Sequence, residues 1–115
     1  MVYTPKPQPL AEFELLVLLA SIRLGPADAY TVSIAEQIES KTGRPVRRAN
    51  VYTTLQRLEA KDLVSTRLGD ALAERGGKPR RLVTVKPVGI ASVREMTRAI
   101  GAMVLDVRHL IGETT

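Results

Sequence analysis

The chain has no cysteine and no tryptophan, and three tyrosines and one phenylalanine are its only aromatic residues. The lack of cysteine excludes disulfides and thiolate chemistry, and it fits a reducing cytoplasm, where we expect the protein to act. Histidine is nearly absent too, since His109 is the single one. The sequence contains no His/carboxylate cluster with metal-ligand spacing and no phosphate-cradling glycine loop. We therefore expect no enzyme activity, no metal site and no cofactor.

Long apolar runs are also missing. No stretch approaches the about 20 residues of a membrane span. The N-terminal segment MVYTPKPQPL lacks the apolar region of a signal peptide, and its three prolines predict a flexible, extended arm over residues 1–9. The chain is 115 residues long, which is the size of one domain with a modest core. These features predict a globular protein with no membrane partner.

The excess of positive charge lies in the middle of the chain. There are 17 basic and 12 acidic side chains in all, a formal net charge of +5. Residues 44–61 contain five basic and one acidic side chains, and residues 62–86 contain six and three. A basic surface favours polyanions such as DNA, although an uneven, solvated surface is the alternative.

Apolar periodicity and turn residues predict a mainly α protein with a small β-hairpin wing (α+β). Gly25-Pro26 ends the first helix, Thr31 is a plausible N-cap of the second, and Thr42-Gly43 end it. The predicted elements are helices over 11–24, 31–42, 49–61 and 87–111 and strands over 63–68 and 82–85. This order is that of a winged helix-turn-helix domain over 10–86, followed by a C-terminal dimerisation helix over 87–115.

The third helix carries a polar, cationic face opposite its core residues Val51, Leu55 and Leu58. Asparagine, threonine and arginine read base edges, while arginine, lysine and hydroxyls hold phosphates. We predict base contacts by Asn50, Thr53, Thr54 and Arg57 and phosphate contacts by Arg47, Arg48 and Lys61. The connection between the strands would reach the adjacent backbone or minor groove through Arg75, Lys78, Arg80 and Arg81. Taken singly, each feature has the plainer reading of a solvated, charged surface, and their joint placement favours DNA binding.

The last helix has an a/d heptad pattern suited to helix pairing. β-Branched residues occupy the a positions, methionine and leucine occupy the d positions, and two further residues widen the stripe. The predicted dimer contacts are Val93, Met96, Ile100, Met103, Val104, Val107, Leu110 and Ile111. The alternative is that this stripe packs on the first helix of its own chain.

Over about residues 11–93 the sequence resembles the PadR-like transcriptional regulators. The resemblance rests on Gly25-Pro26, on Tyr30 at the start of helix 2, on the run Val51–Glu59 (VYTTLQRLE) and on Arg75-Gly76-Gly77. It implies a dimeric bacterial transcription factor, commonly a repressor, that binds a palindromic operator and dimerises through its C-terminal helix, often together with the first helix. By the same match, Tyr30 and Tyr52 would lie near the DNA-facing side, with partial burial as the alternative.

The chain departs from that family at three places. Asp28-Ala29 replaces the usual His-Gly, and the aspartate would repel a nearby phosphate. Lys86 replaces the threonine that often caps the last helix. Because the chain has no tryptophan, we do not expect the pore of stacked tryptophans that binds flat drugs in some members.

The expected partners are therefore double-stranded DNA and a second copy of the chain. Three matters stay open at this point: a small-molecule effector, the participation of helix 1 in the dimer, and repression as against activation. The competing function is a winged-helix adaptor that binds an acidic protein without specific DNA readout.

Overall fold

The computed structural model describes residues 6–69 and 79–112, so most of the predicted arm and Arg75, Gly76, Gly77 and Lys78 of the predicted wing lie outside the described residues. The elements are α1 (Glu12–Leu24), α2 (Thr31–Thr42), α3 (Arg48–Ala60), β1 (Val64–Leu68), β2 (Arg81–Val85) and α4 (Pro87–Val107). A short 3-10 turn, Arg108–Leu110, follows α4. This order and the antiparallel hairpin confirm the predicted α+β winged helix-turn-helix.

Glycines end the first two helices where the sequence predicts. Gly25 has φ of 84° and donates its N–H to Ser21 O at 2.9 Å. Gly43 has φ of 73° and donates to Glu39 O at 2.9 Å. Both conformations are open to glycine at little steric cost, so these positions end the helices sharply.

The bounds of α2 agree with the prediction, but its N-cap residue lies one position earlier. Tyr30, not Thr31, precedes the first helical turn in an extended conformation. The Tyr30 N–H donates to Ser33 Oγ at 3.0 Å, so the serine side chain provides the hydrogen-bond acceptor for this backbone N–H at the start of the helix. Thr31 is therefore the first helical residue and does not cap the helix.

The core lies between the first three helices and the hairpin. Its largest fully buried aliphatic side chains come from the three helices, from both strands and from the residue before β1: Val17, Leu18, Ile34, Val51, Leu58, Leu63, Val64 and Val83. The hairpin pairs Val64 with Val85 and Leu68 with Arg81. Val83 N–H donates to Ala29 O at 2.8 Å, which ties β2 to the loop before α2. The hairpin is thereby fixed relative to the helices.

The beginning of α4 packs on this core, and its end does not. Val93 is buried in the core, so the prediction that it faces a partner is wrong, whereas Met96 is half-buried and packs against the core. Farther along, Ile100, Met103 and Val107 are exposed in the single chain. The α-helix ends at Val107, so Leu110 and Ile111 do not continue the predicted helical stripe.

Gly89 lets α4 approach the hairpin closely. A Cβ there would lie 2.5 Å from Leu63 O and 2.8 Å from Val85 Cγ1. The Leu63 carbonyl also accepts the Lys86 N–H at 2.9 Å, so it is held in place.

We expect Gly89→Ala to lower the free energy of unfolding by about 1–3 kcal/mol, the usual cost of overpacking. Gly101→Ala is the matched control, because a Cβ at Gly101 meets no atom within 4 Å. That change should stabilise the exposed helix by about 0.5–1 kcal/mol. Urea unfolding at one protein concentration measures both, and equal effects of the two substitutions would contradict the close packing at Gly89.

In the part of the chain that the structure describes, no helix is both long enough and apolar enough to span a membrane.

Candidate nucleic-acid interface

The exposed face of α3 is polar, and it is turned relative to the prediction. Val51, Leu55 and Leu58 are buried as predicted. Asn50, Thr53 and Arg57 are exposed, also as predicted. Thr54 is only 4% exposed, so its predicted place on the outer face is wrong. With 3.6 residues per turn, Thr54 lies one turn from both Val51 and Leu58 and shares their side of the helix.

Three arginines project from α3 and its N-cap. Arg47 is the N-cap residue, Arg48 begins the helix, and Arg57 lies in its last turn. All three are exposed, and none forms an ion pair with any residue that the structure describes. The positive end of the helix dipole adds to the charge of Arg47 and Arg48. This end of α3 therefore favours an anion such as a phosphate.

Lys61 does not fit the predicted phosphate contact. Its Nζ lies 3.1 Å and 2.9 Å from the two carboxylate oxygens of Glu14. The Glu14 side chain is 2% exposed and that of Lys61 is 36% exposed. Because the ammonium group neutralises a buried carboxylate, Lys61 joins α3 to α1 and is removed from the set of candidate DNA contacts.

Glu14 stays ionised in spite of its burial. Burial raises the pKa of its carboxyl, but the Ala11 N–H, which donates to Oε1 at 2.8 Å, and the Lys61 ammonium outweigh that effect. The net result is a pKa below the ordinary value. The ion pair is therefore intact at neutral pH.

The end of the hairpin lies beside α2 and α3. Arg80 stacks over the ring of Tyr30, with its guanidinium carbon 4.5 Å from the ring centroid. Arg81 Nη1 donates to Thr66 Oγ1 at 2.8 Å, and that hydroxyl donates to Glu59 Oε2 at 2.8 Å. These contacts place the predicted wing cation Arg81 next to α3 and Arg80 next to the start of α2. Tyr30 is half-buried and supports Arg80.

An open groove runs between α3 and the hairpin. It is lined by Thr31, Tyr52, Leu55, Gln56, Glu59, Thr66 and Arg81. Tyr52 is 51% exposed there, and its hydroxyl accepts a hydrogen bond from Gln56 Nε2 at 3.4 Å. Of these residues, Gln56 was missed by the sequence analysis. The signal that identifies Gln56 is the burial of the opposite side of α3, which comprises Val51, Thr54, Leu55 and Leu58. The sequence predicts burial for all of these except Thr54.

A second exposed surface is apolar. On α4, Ile100 is 46%, Met103 71% and Val107 39% exposed. On α1, Leu19 is 39% and Ile22 41% exposed. On α4, Val104 lies between Met103 and Val107 in the predicted stripe and is half-buried. So much exposed aliphatic surface on a chain of this size is typical of an interface with another protein.

Within residues 6–69 and 79–112, no group of three or more histidine, cysteine, aspartate or glutamate side chains is arranged to hold a metal ion. His109 lies exposed in the 3-10 turn after α4.

Comparison of the sequence with protein families supports the resemblance. The sequence model of the transcriptional regulator PadR-like family matches residues 18–95. That range includes α2, α3, the hairpin and the first turns of α4. No curated protein matches the chain.

Solved structures share the fold at low sequence identity. A PadR family transcriptional regulator from Eggerthella lenta is 21% identical, with a TM-score of 0.66 over 90% of this chain and 88% of that chain. A PadR-like transcriptional regulator from Bacillus cereus is 16% identical, with a TM-score of 0.69 over 89% of this chain and 93% of that one. BpsR of Bordetella bronchiseptica, whose DNA binding is regulated by 6-hydroxynicotinic acid, is 22% identical, with a TM-score of 0.64 over 96% and 73%.

Proposed function

The chain belongs to the PadR-like family of transcriptional regulators, and on this premise we propose that it is a repressor that binds a palindromic operator as a homodimer. It is a regulator and not an enzyme, in agreement with the prediction from the sequence. The family match supports a DNA-binding regulator. The repressor role, the symmetry of the operator and the dimer are our proposals.

The observation that carries the proposal is the uncompensated charge at exposed positions of α3 and its N-cap. Arg44, Lys61, Lys86 and Arg98 form ion pairs with carboxylates. Arg47, Arg48 and Arg57 have no such partner among the described residues, although all three are exposed. Exposed, unpaired arginines on a helix beside a basic hairpin suit the phosphates and base edges of a major groove.

The proposed contacts divide into three groups. Asn50, Thr53 and Arg57 read base edges, because their side chains leave the exposed part of α3. Arg47 and Arg48 hold phosphates at the N-terminus of that helix. The hairpin contacts the adjacent backbone through Arg80 and Arg81, and Arg75 and Lys78, outside the described residues, remain part of the same proposal.

The proposed dimer uses the far half of α4. Ile100, Met103, Val104 and Val107 form its stripe, and the exposed leucine and isoleucine of α1 extend it. A two-fold axis through this surface would place two α3 helices to meet successive major grooves about 34 Å apart. The comparison with BpsR keeps a small-molecule effector among the candidate partners. We propose that the protein acts in the cytoplasm.

Substitution of Met103 by glutamate tests the dimer. We expect the dimer dissociation constant to rise by at least about a hundredfold, because a two-fold interface receives two unpaired charges. Leu105→Glu is the matched control, since Leu105 is 67% exposed on the same helix but lies off the stripe. Sedimentation at micromolar concentration measures both. A monomeric mass for the unmodified protein, or a dimer that survives Met103→Glu, would contradict the proposed interface.

The salt dependence of binding separates the proposed function from the adaptor alternative. For a labelled duplex, we expect affinity to fall by at least about a hundredfold between about 50 and 200 mM salt, as several phosphate contacts require. An adaptor without specific DNA readout would bind every duplex alike, with an affinity and a salt dependence that do not vary with sequence. That result would overturn the proposal.

A further inference from the structure

The buried residues of α3 define which side chains project farthest from the protein. Val51, Thr54, Leu55 and Leu58 are buried and lie on one side of the helix. At about 100° per residue, the opposite side is centred on positions 49, 53, 56 and 60. The side chains there are Ala49, Thr53, Gln56 and Ala60, and all four are exposed.

Gln56 is the one long polar side chain at the centre of this face. Its neighbours along the face are alanine and threonine, which are small enough to let the helix backbone approach a base pair closely. Arg57 and Tyr52 lie to either side of it. A helix seated in a major groove would therefore present Gln56 directly to the base edges.

The contact with Tyr52 orients the Gln56 amide. Nε2 donates one hydrogen to the Tyr52 hydroxyl at 3.4 Å. A glutamine amide has two N–H donors and one carbonyl acceptor, so one donor and the acceptor remain free. Adenine offers the complementary pair in the major groove, the N7 acceptor and the N6 donor.

We propose that Gln56 is a base-reading residue specific for adenine in the operator half-site and that Tyr52 is its positioning residue. This inference rests on the proposed function, since it assumes that α3 enters the major groove. It also gives Tyr52, which the family resemblance places near the DNA-facing side, the role of orienting a neighbouring side chain. The Tyr52 hydroxyl holds one end of the Gln56 amide, and in the structure that end is Nε2.

Selection from randomised duplex DNA tests the inference with the full chain and three variants. We expect the unmodified protein to require adenine at one position of each half-site. Gln56→Ala should lower the preference for adenine there by about 5- to 150-fold, the range of one bidentate pair. Gln56→Glu should move the preference at the same position to cytosine, because a carboxylate accepts from the cytosine amino group. Gln37→Ala, a glutamine on α2, is the control and should leave the motif unchanged.

Tyr52→Phe tests the positioning role separately. The aromatic ring is retained and Gln56 is intact, so a merely structural role for the hydroxyl would leave base preference unchanged. We expect a partial loss of adenine preference at the Gln56 position only.

The outcomes separate this inference from the proposed function. A motif that Gln56→Ala and Gln56→Glu leave unaltered at every position would overturn the role of Gln56 while leaving DNA binding in place. An unaltered motif with Tyr52→Phe would overturn the positioning role alone. Recovery of no motif by the unmodified protein would overturn the proposed function and this inference together.

Discussion

Replacing Arg57 by alanine lowers the affinity for the operator by about 5- to 150-fold, the effect expected from loss of one bidentate arginine–guanine pair. Arg57 is exposed on α3 and has no ion-pair partner among the described residues, so its removal breaks no ion pair there. The loss should be confined to sequences with guanine at the contacted position. Affinity for random DNA should change far less.

Two other arginines sharpen this prediction. Arg94→Ala removes the same charge from an exposed position on α4, and it should change operator affinity less than twofold at moderate salt. Arg48→Ala should weaken binding to all sequences alike and reduce the salt slope by about one unit, as a phosphate contact would. Fluorescence anisotropy with operator and random duplexes distinguishes the three patterns. Equal effects of Arg57→Ala and Arg94→Ala would show that net charge, and not the face of α3, determines binding.

Replacing Lys61 by methionine should lower the free energy of unfolding by about 3 kcal/mol at neutral pH, because it leaves the Glu14 carboxylate buried without a cation. The expected loss lies at the lower end for a broken buried pair, since the lysine side chain is 36% exposed. Glu14→Gln should cost only about 1 kcal/mol. In that variant Lys61 can turn toward water, and the amide oxygen can still accept the Ala11 N–H.

The pH dependence of stability gives a second reading of the same ion pair. The folded-state pKa of Glu14 is lowered, so its stabilising contribution is full above the unfolded-state pKa and is lost as the pH falls through the folded-state value. In Lys61→Met the pKa of Glu14 should instead rise, so acid relieves the buried charge. The stability difference between the two proteins should therefore shrink below about pH 4. Urea unfolding at neutral and acid pH, at one protein concentration, measures it. A difference that is constant with pH would contradict an ionised Glu14.

Helix ends were predictable because local chemistry determines them. Gly25-Pro26 and Gly43 stop the first two helices through backbone conformations that need no distant partner. The N-cap of α2 was wrong by one residue, because Tyr30 is the capping position and its N–H donates to Ser33 Oγ. Both kinds of signal act over a few residues, which is the range over which a sequence can be interpreted directly.

The orientation of α3 was only partly predictable. Periodicity predicts a helix and an apolar side, but a threonine beside that side can be buried or exposed according to what packs on it. Thr54 is buried, and its inclusion turns the exposed centre toward Gln56. The sequence predicts Lys61 as a phosphate contact because no local pattern shows its ion-pair partner. That partner, Glu14, lies 47 residues away in the sequence. The pairing depends on how α1 crosses α3, which no local pattern encodes.

The heptad of the last helix combined two surfaces that the fold separates. Val93 and Met96 continue the apolar stripe in sequence, yet they pack on the core of their own chain. Ile100 and Met103 follow at the same spacing and are exposed. An apolar residue in a stripe therefore predicts burial. Whether it packs on its own chain or on a second copy depends on where the helix leaves the domain.

The most direct test is selection of randomised duplex DNA by the unmodified protein, followed by sequencing of the bound fraction. A dimer that reads DNA with two α3 helices predicts an inverted repeat whose half-site centres are about 10 base pairs, or a multiple, apart. Each half-site should be short, since one helix contacts only a few base pairs. Recovery of no enriched sequence, or of a single half-site without symmetry, would contradict DNA reading by a symmetric dimer.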